Sequence, residues 1–576
     1  METKVRIKLN RSLAACGFVL AVAAALPSAH AQSAAEMKPL AEIVFSGYDE
    51  LMADVDFIGS LAGQQQASQM VDQTLQMFTQ NKGLAGLDKS KPIGVIVQTD
   101  GEMPSGAVCV PVTDLNALLD VVKGFGVTAT DAGNGLQQLS TPQGQNLFVK
   151  DSNGWALISM APAMLESIPA DPAAVLTKLA DEYDLAFRVH MQNMPESYRQ
   201  QAIDAMSQGA QQGMTRNDDE TDEQYKAREE QVAVQLDQLK QFINELDQFT
   251  FGLSVDSEQQ RAFIDFGYTA IPGTKLAKDV AANSNVTTNF AGFIQPDAAM
   301  TLTFASKMTG ADAAQLDQMV ESLRTQAAKA IDDDDELTKD ESKTQVKAGV
   351  NEFIDALKAT LEAGTIDGGA TLDMGPDSLT FVAGGFVADP AKIESGLKKI
   401  VEAAKTEKPE DVEKAGIEWS AEKHKDVTFH TASAPIEGDG DDEENARKLF
   451  GDKIDMVVGI GGKAVYFAMG RDALATVKKV IDDSAAAPAK PTVPMEMTVA
   501  LGQIMNAAKG FADEDDKPQI EMIANMLANE AEGRDHVRIN AQPIENGIRM
   551  RIEAEEGVLR AIGMGAMQAQ MHGAGN

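Results

Sequence analysis

The sequence predicts an α+β fold: two tandem, duplicated units of mainly antiparallel sheet with helices packed on one face. Three observations carry this. Short runs such as 301–304, 378–387 and 548–552 alternate apolar and polar residues with period two, while the segments between them keep helical spacing. The pairs Asn153-Gly154, Gly461-Gly462 and Asn546-Gly547 lie between matched runs, where they supply the positive φ of tight hairpins and so make neighbouring strands antiparallel. Six motifs recur once each along the chain, in unbroken order.

The N-terminus comes first. Lys4, Arg6, Lys8 and Arg11 form a basic start, Ser12 to Leu26 is an apolar run of 15 residues, and Ala29-His30-Ala31 offers a small-x-small cleavage pattern. We read residues 1–31 as a signal peptide cut after Ala31, residues 32–39 as a linker, and the product as exported, periplasmic or extracellular. The run falls short of the roughly 20 residues that span a bilayer, and no later run reaches that length, so no integral membrane segment is expected after cleavage. Leu13-Ala14-Ala15-Cys16 looks like a lipobox, but here the apolar stretch follows the cysteine where a lipobox would close it.

The recurring motifs divide the rest into a first repeat at 40–282, a linker at 283–285, a second repeat at 286–572 and a tail at 573–576. Phe57–Gly63 matches Phe304–Gly310, and Gln69–Asp72 matches Gln318–Glu321. Val112–Asp114 then matches Val387–Asp389, the strand–turn–strand at 146–160 matches 454–469, and Leu165 matches Leu474 in the short helix that follows each. Asp184–Val189 corresponds to Glu496–Ala500, and the hairpin at 249–266 to 536–553. Offsets drift because each copy carries insertions. The acidic runs at 217–223, 332–336 and 437–444 are the clearest, read as solvated loops.

Helical faces are equally legible. Leu316, Met319, Val320, Leu323 and Ala327 share one, as do Phe353, Ile354, Leu357 and Leu361. Val232, Leu236, Leu239, Ile243 and Leu246 step by four and three, the mark of a coiled-coil seam; two heptads are too few, so a helix lying on a sheet is expected.

Charge excludes some partners. The chain has 50 Lys+Arg against 87 Asp+Glu, a net charge of −37; losing Glu2 with the four basic residues of the leader takes the mature chain to −40. Such a surface repels phosphate backbones, so no nucleic-acid partner is expected. After cleavage Cys109 is the one cysteine, so the fold holds without an internal disulfide, and its apolar run Gly106–Val110 predicts a buried, inert thiol.

Enzyme motifs are missing. HExxH, GxSxG, CxxC, a Walker loop and a GxGxxG after a strand do not occur, and Gly459-Ile-Gly-Gly-Lys463 lacks the spacer and the hydroxyl of a phosphate loop. His424 and His430 are six apart, a spacing that sets both on one side of a strand, yet no further ligand completes a metal or catalytic set. Loops starting at Asp439 and Asp513 fail the EF-hand pattern. Two methionine–histidine groups, His190-Met191 with Met194 and Met564, Met567, Met571 with His572, have the soft ligands of a Cu(I) site, though most of the 27 methionines fall on apolar faces as packing. No catalytic, cofactor or metal residue is assigned, and no cofactor is expected.

Motifs such as Phe293-Ile-Gln-Pro-Asp-Ala-Ala299 and Gly462-Lys-Ala-Val-Tyr-Phe-Ala-Met-Gly470, with the leader, give a chain that resembles exported bacterial proteins of unknown function, large acidic tandem-repeat proteins of the planctomycete type. The resemblance implies tandem α+β repeats and brings no activity, so no functional residue carries over. Three functions follow in order: a non-catalytic scaffold or interaction protein with a protein partner, a carrier of an apolar small molecule or lipid, and a hydrolase with a dispersed site.

Overall fold

The computed structural model describes residues 37–573, apart from 215, 217–220, 310–312, 439, 511, 513–515, 530 and 532. The signal sequence expected at 1–31 lies outside the described residues. The described residues divide into two compact units, 37–276 with 566–573, and 277–565.

In the first unit, strands form where period-two runs meet turn residues. They are β1 (Lys38–Phe45), β2 (Ile93–Thr99), β3 (Pro104–Pro111), β4 (Thr128–Gly133), β5 (Leu136–Ser140), β6 (Asn146–Ser152), β7 (Trp155–Ser159), β8 (Leu185–His190), β9 (Leu246–Asp256) and β10 (Arg261–Ala270). Every pairing is antiparallel, in the spatial order β4-β5-β6-β7-β3-β2-β1-β8-β9-β10. Asn153 (φ 52°) and Gly154 (φ 80°) make the left-handed turn joining β6 to β7, as the dipeptide demands.

The second unit has a short pair, β11 (Val286–Thr288) with β19 (Lys490–Thr492), and a main sheet. Its strands are β12 (Met300–Lys307), β13 (Thr365–Gly375), β14 (Ser378–Phe386), β15 (Glu418–His424), β16 (Val427–Pro435), β17 (Lys453–Ile460), β18 (Ala464–Gly470), β20 (Met495–Ala500), β21 (His536–Ile544) and β22 (Gly547–Glu555). All pair antiparallel, in the order β15-β16-β17-β18-β14-β13-β12-β20-β21-β22. Taken in chain order, each strand occupies the same place in its sheet as its counterpart in the first unit. The α+β class with antiparallel sheets is thus observed in both.

Most recurring motifs fall on equivalent elements: the residues before helices Leu115–Lys123 and Pro390–Glu407, the β6-β7 and β17-β18 hairpins, β8 with β20, and the β9-β10 and β21-β22 hairpins. The first two matches do not. Phe57 lies in helix Tyr48–Leu61 whereas Phe304 lies in β12, and Gln69 lies in the second helix after β1 whereas Gln318 lies in the first helix after β12. Short motifs of common residues align by chance. Gly461-Gly462 also departs from expectation, for neither glycine has positive φ. Three residues, 461–463, separate β17 from β18, and that longer loop closes without a left-handed pair.

The sequence predicts helices on one face of each sheet, but in the first unit they cover both, because its strands carry apolar side chains toward either face. In the first unit Trp155, Leu157, Cys109 and Ile96 meet Leu165, Leu176 and Leu179 of helices Pro162–Ser167 and Ala173–Ala180. Val95, Val108, Val110 and Val149 point the other way and are closed over by Leu119, with Leu115, Leu118 and Val122, from helix Leu115–Lys123. That helix starts at Asp114, whose carboxylate accepts the N–H groups of Asn116 (2.9 Å) and Ala117 (3.2 Å). In the second unit Phe293, Phe429, Val382 and Tyr466 pack on Val477, Val480 and Ile481 of helix Ala473–Ala486. Gly369 and Gly384 make room for this: a Cβ would sit 2.8 Å from Phe293 at the first and 2.5 Å from the Tyr466 ring at the second.

The seam at 232–246 is expected on a sheet, but its middle packs on another helix, and Leu246 already opens β9. Helix Asp222–Glu245 sets Leu236, Leu239 and Ile243 beside Ile203 and Met206 of helix Glu196–Gly213, so the apolar stripe is used helix on helix. The acidic run at 437–444 is likewise more than a loop, since helix Asp441–Phe450 begins within it. Acidic side chains in a first turn meet the positive end of the helix dipole.

Candidate functional site

Strands β8, β9 and β10 build an apolar face that stays partly exposed. Phe187 stands opposite Phe251, and Phe251 opposite Phe266. Flanking rows repeat the pattern: Leu185, Leu253 and Ile264 on one side, Val189, Phe249 and Tyr268 on the other. All nine share one face because side chains alternate along a strand. None is buried; Phe187 is 37 % and Phe266 41 % exposed. The Phe251 and Phe266 rings meet edge-on at 5.4 Å, and Phe242 meets Tyr268 at the end of the patch at 5.3 Å.

The equivalent strands of the second unit carry an apolar face of different residues, in which Ala541 is buried. Met497, Ile539 and Ile552 form one row, Met495, Ala541 and Met550 the next, and Val499, Val537 and Ala554 the third. Met550 is 38 % and Ile552 37 % exposed. The face continues through Phe304 and Leu302 of β12, which stand opposite Met495 and Met497. What such a wing can do chemically is bury apolar area against something else, at about 25 cal/mol per Å² removed from water.

Titratable groups cluster at two further places. Asp54 of helix Tyr48–Leu61 is buried, its Oδ2 has no hydrogen-bond partner, and it faces Asp184 at the head of β8. Burial first, then the nearby Asp184 carboxylate, then the charge of Glu50 push the Asp54 carboxyl up to about 7. Asp184 is held in place by the Val255 N–H at 2.6 Å and the Ser46 hydroxyl at 3.4 Å. In the second unit Asp535, His536 and Glu555 bring ligand atoms within 4.8 Å of one another. His536 Nδ1 lies 3.0 Å from Glu555 Oε2 and 3.3 Å from Asp535 Oδ1. Burial raises the Glu555 pKa, but hydrogen bonds from Arg538 and from the His536 N–H outweigh it and hold the carboxyl below its ordinary range.

The residues that the sequence singled out are placed as follows. Cys109 is fully buried and its thiol is pushed up to about 12 by burial, as expected of an inert packing group. His424 and His430 are not brought together. The chain turns between them at Lys425-Asp426, so the even spacing does not apply: His424 pairs with Val427, which shares a face with Phe429, and His430 points to the opposite face. At the surface, the Asp482 carboxylate accepts a hydrogen bond from His424 Nε2 at 2.8 Å. His430 is buried, its Nδ1 accepting the Ser420 N–H at 2.9 Å, and burial first, then Lys398, lowers its pKa against the pull of Glu394. His190 is taken by Glu42, 2.9 Å from its Nε2. Met567, Met571 and His572 have side chains outside the described residues, as do Asn217–Glu220, Asp439, Asp513 and Asp515.

The sequence held a usable signal for one missed cluster. The turn at Glu545-Asn546 sets Ile544 opposite Gly547, and counting back eight residues on both strands brings His536 to Glu555. For Asp54 and Asp184 there is none, because a helix and a distant strand meet there. Among the described residues, no helix is long and apolar enough to cross a membrane. Compared with known families, curated proteins and solved structures, the chain gives no match.

Proposed function

We propose that the chain is an exported, non-catalytic interaction protein, made by tandem duplication of one ten-stranded unit, whose open apolar wings receive a protein partner. The observation that carries it is the row Phe187–Phe251–Phe266, whose two outer rings stay more than a third exposed. The identical strand order of the two units supports duplication. The basic, apolar and small-x-small segments of residues 1–31 support export to the periplasm or beyond, as in the planctomycete-type proteins that the motifs resemble.

An apolar guest has less support among the described residues. The cleft between helices Glu196–Gly213 and Asp222–Glu245 has about 150 Å³ of empty volume, solvent included, whereas small-molecule sites run from roughly 300 Å³ upward and are concave. The wings are sheet faces, suited to a flat partner. A photo-crosslinking residue at Phe266, with one at exposed Met103 as control, tests the reading in the native host. A protein adduct is expected from Phe266 alone and lost on Phe187→Glu; adducts of lipid mass in native mass spectrometry would favour the carrier, and equal adducts at both positions would sink the interaction surface.

A further inference from the structure

We propose that Asp535, His536 and Glu555 form a divalent metal site of the zinc class at the open end of the β21-β22 hairpin, with no such set at the equivalent positions of the first unit. Zinc bound tetrahedrally by nitrogen and oxygen at about 2.0–2.1 Å sets its ligand atoms roughly 3.3 Å apart. Here the imidazole nitrogen stands 3.0 Å from one carboxylate oxygen and 3.3 Å from the other, and all three atoms fall within 4.8 Å. Nδ1 carries at most one hydrogen, yet two carboxylate oxygens converge on it. A metal replacing that proton satisfies both at once.

The ligands are themselves held in place. Asp535 turns its other oxygen to the Gly502 N–H at 2.7 Å, and Glu555 turns its other oxygen to the Arg538 guanidinium, which Glu553 also holds. The His536 N–H binds Glu555 as well, at 2.9 Å. Each carboxylate is thereby fixed with one oxygen directed at the imidazole, which is how outer partners orient metal ligands. Arg538 brings a positive charge close by and limits the affinity. The three ligands are partly exposed, so a fourth position is open to water.

The first unit supplies the contrast. His190 pairs with Gln248 there as Ala500 pairs with His536 in the second unit, so Gln248 is the counterpart of His536. Gln248 stands opposite Thr269, the counterpart of Glu555, and Asp247 is the counterpart of Asp535. There the aspartate is satisfied by neutral donors, Gln192 Nε2 at 2.6 Å and the Thr269 hydroxyl at 3.3 Å. The second unit keeps the aspartate and replaces the glutamine and the hydroxyl with an imidazole and a second carboxylate, the two groups a zinc-class cation needs.

The test uses the mature chain, stripped with chelator and titrated with ZnCl₂ by calorimetry, with CoCl₂ as a spectroscopic probe. Expected are one zinc per chain, the visible absorption of tetrahedral Co²⁺, and an affinity at least tenfold weaker in His536→Gln and in Glu555→Thr, which install the first unit's residues. His424→Ala should leave binding unchanged. Circular dichroism of the metal-free variants shows whether they fold, and Glu555→Gln stands in for either that does not. The proposal is overturned if the wild-type chain binds no stoichiometric zinc, or if His536→Gln binds it as tightly, which would leave only loose association with surface carboxylates.

Discussion

One strand order closes differently in the two units. In the first, helix Leu115–Lys123 lies on the sheet and Leu119 seals the valines beneath it. In the second, the corresponding helix Pro390–Glu407 packs on helix Asp340–Glu362, where Gly349 and Gly396 let the backbones touch: a Cβ at Gly396 would lie 2.7 Å from the Gly349 carbonyl oxygen. Leu316 and Val320 of helix Ala313–Asp332 form a separate small core with Ile354 of helix Asp340–Glu362. The sheet face that the first unit seals carries Phe467 at 36 % exposure in the second. Helix lengths follow suit: the long pair comes after β8 in the first unit (Glu196–Gly213, Asp222–Glu245) and after β12 in the second (Ala313–Asp332, Asp340–Glu362). A sheet topology fixes which strands are neighbours and leaves open which helix covers them.

Breaking each closure separately sharpens the contrast. The largest effect is expected from Trp155→Ala, which empties the fully packed face of the first unit at a cost of about 4 kcal/mol; hydrogen exchange should show lost protection in β3 and β7. Gly396→Leu comes next. A Cβ at this position would already lie 2.5 Å from the Phe353 ring and press on the Gly349 carbonyl, so about 3 kcal/mol should be lost, read as a lower urea midpoint.

A third contrast concerns pH, because the buried acid pair belongs to the first unit. The Asp54 carboxyl has a folded pKa raised to about 7. The folded state therefore binds the proton more tightly than the unfolded one, and this contribution is full below about pH 4 and is lost as pH rises through 7. Asp54→Asn should stabilise the chain by roughly 1–2 kcal/mol at pH 8 and by little at pH 4. Melting curves at the two pH values check the sign, and an equal shift at both would contradict it. The smallest effect is expected from Phe187→Glu. On an open face it should change stability by about 0.5 kcal/mol or less while abolishing crosslinking at Phe266, and a large loss of stability would show that the face is a core after all.

Much of this was legible in residues taken locally. Asn153-Gly154 turns where it should, Cys109 is buried, and the β6-β7 and β17-β18 hairpins fall where the matched runs placed them. His424 and His430 misled because an even spacing speaks only for an unbroken strand, and the chain reverses between them. Phe187, Phe251 and Phe266 gave no warning, since an apolar alternation reads the same whether its face is covered or open. The sequence by itself determined the α+β class, the hairpins and the apolar faces, because strand period and turn chemistry act over a few residues. Only the tertiary structure decided which faces stay open, where Asp54 meets Asp184, and that Asp247 and Asp535 have different company. Those outcomes depend on register and on helices arriving from distant parts of the chain, and no local pattern encodes them.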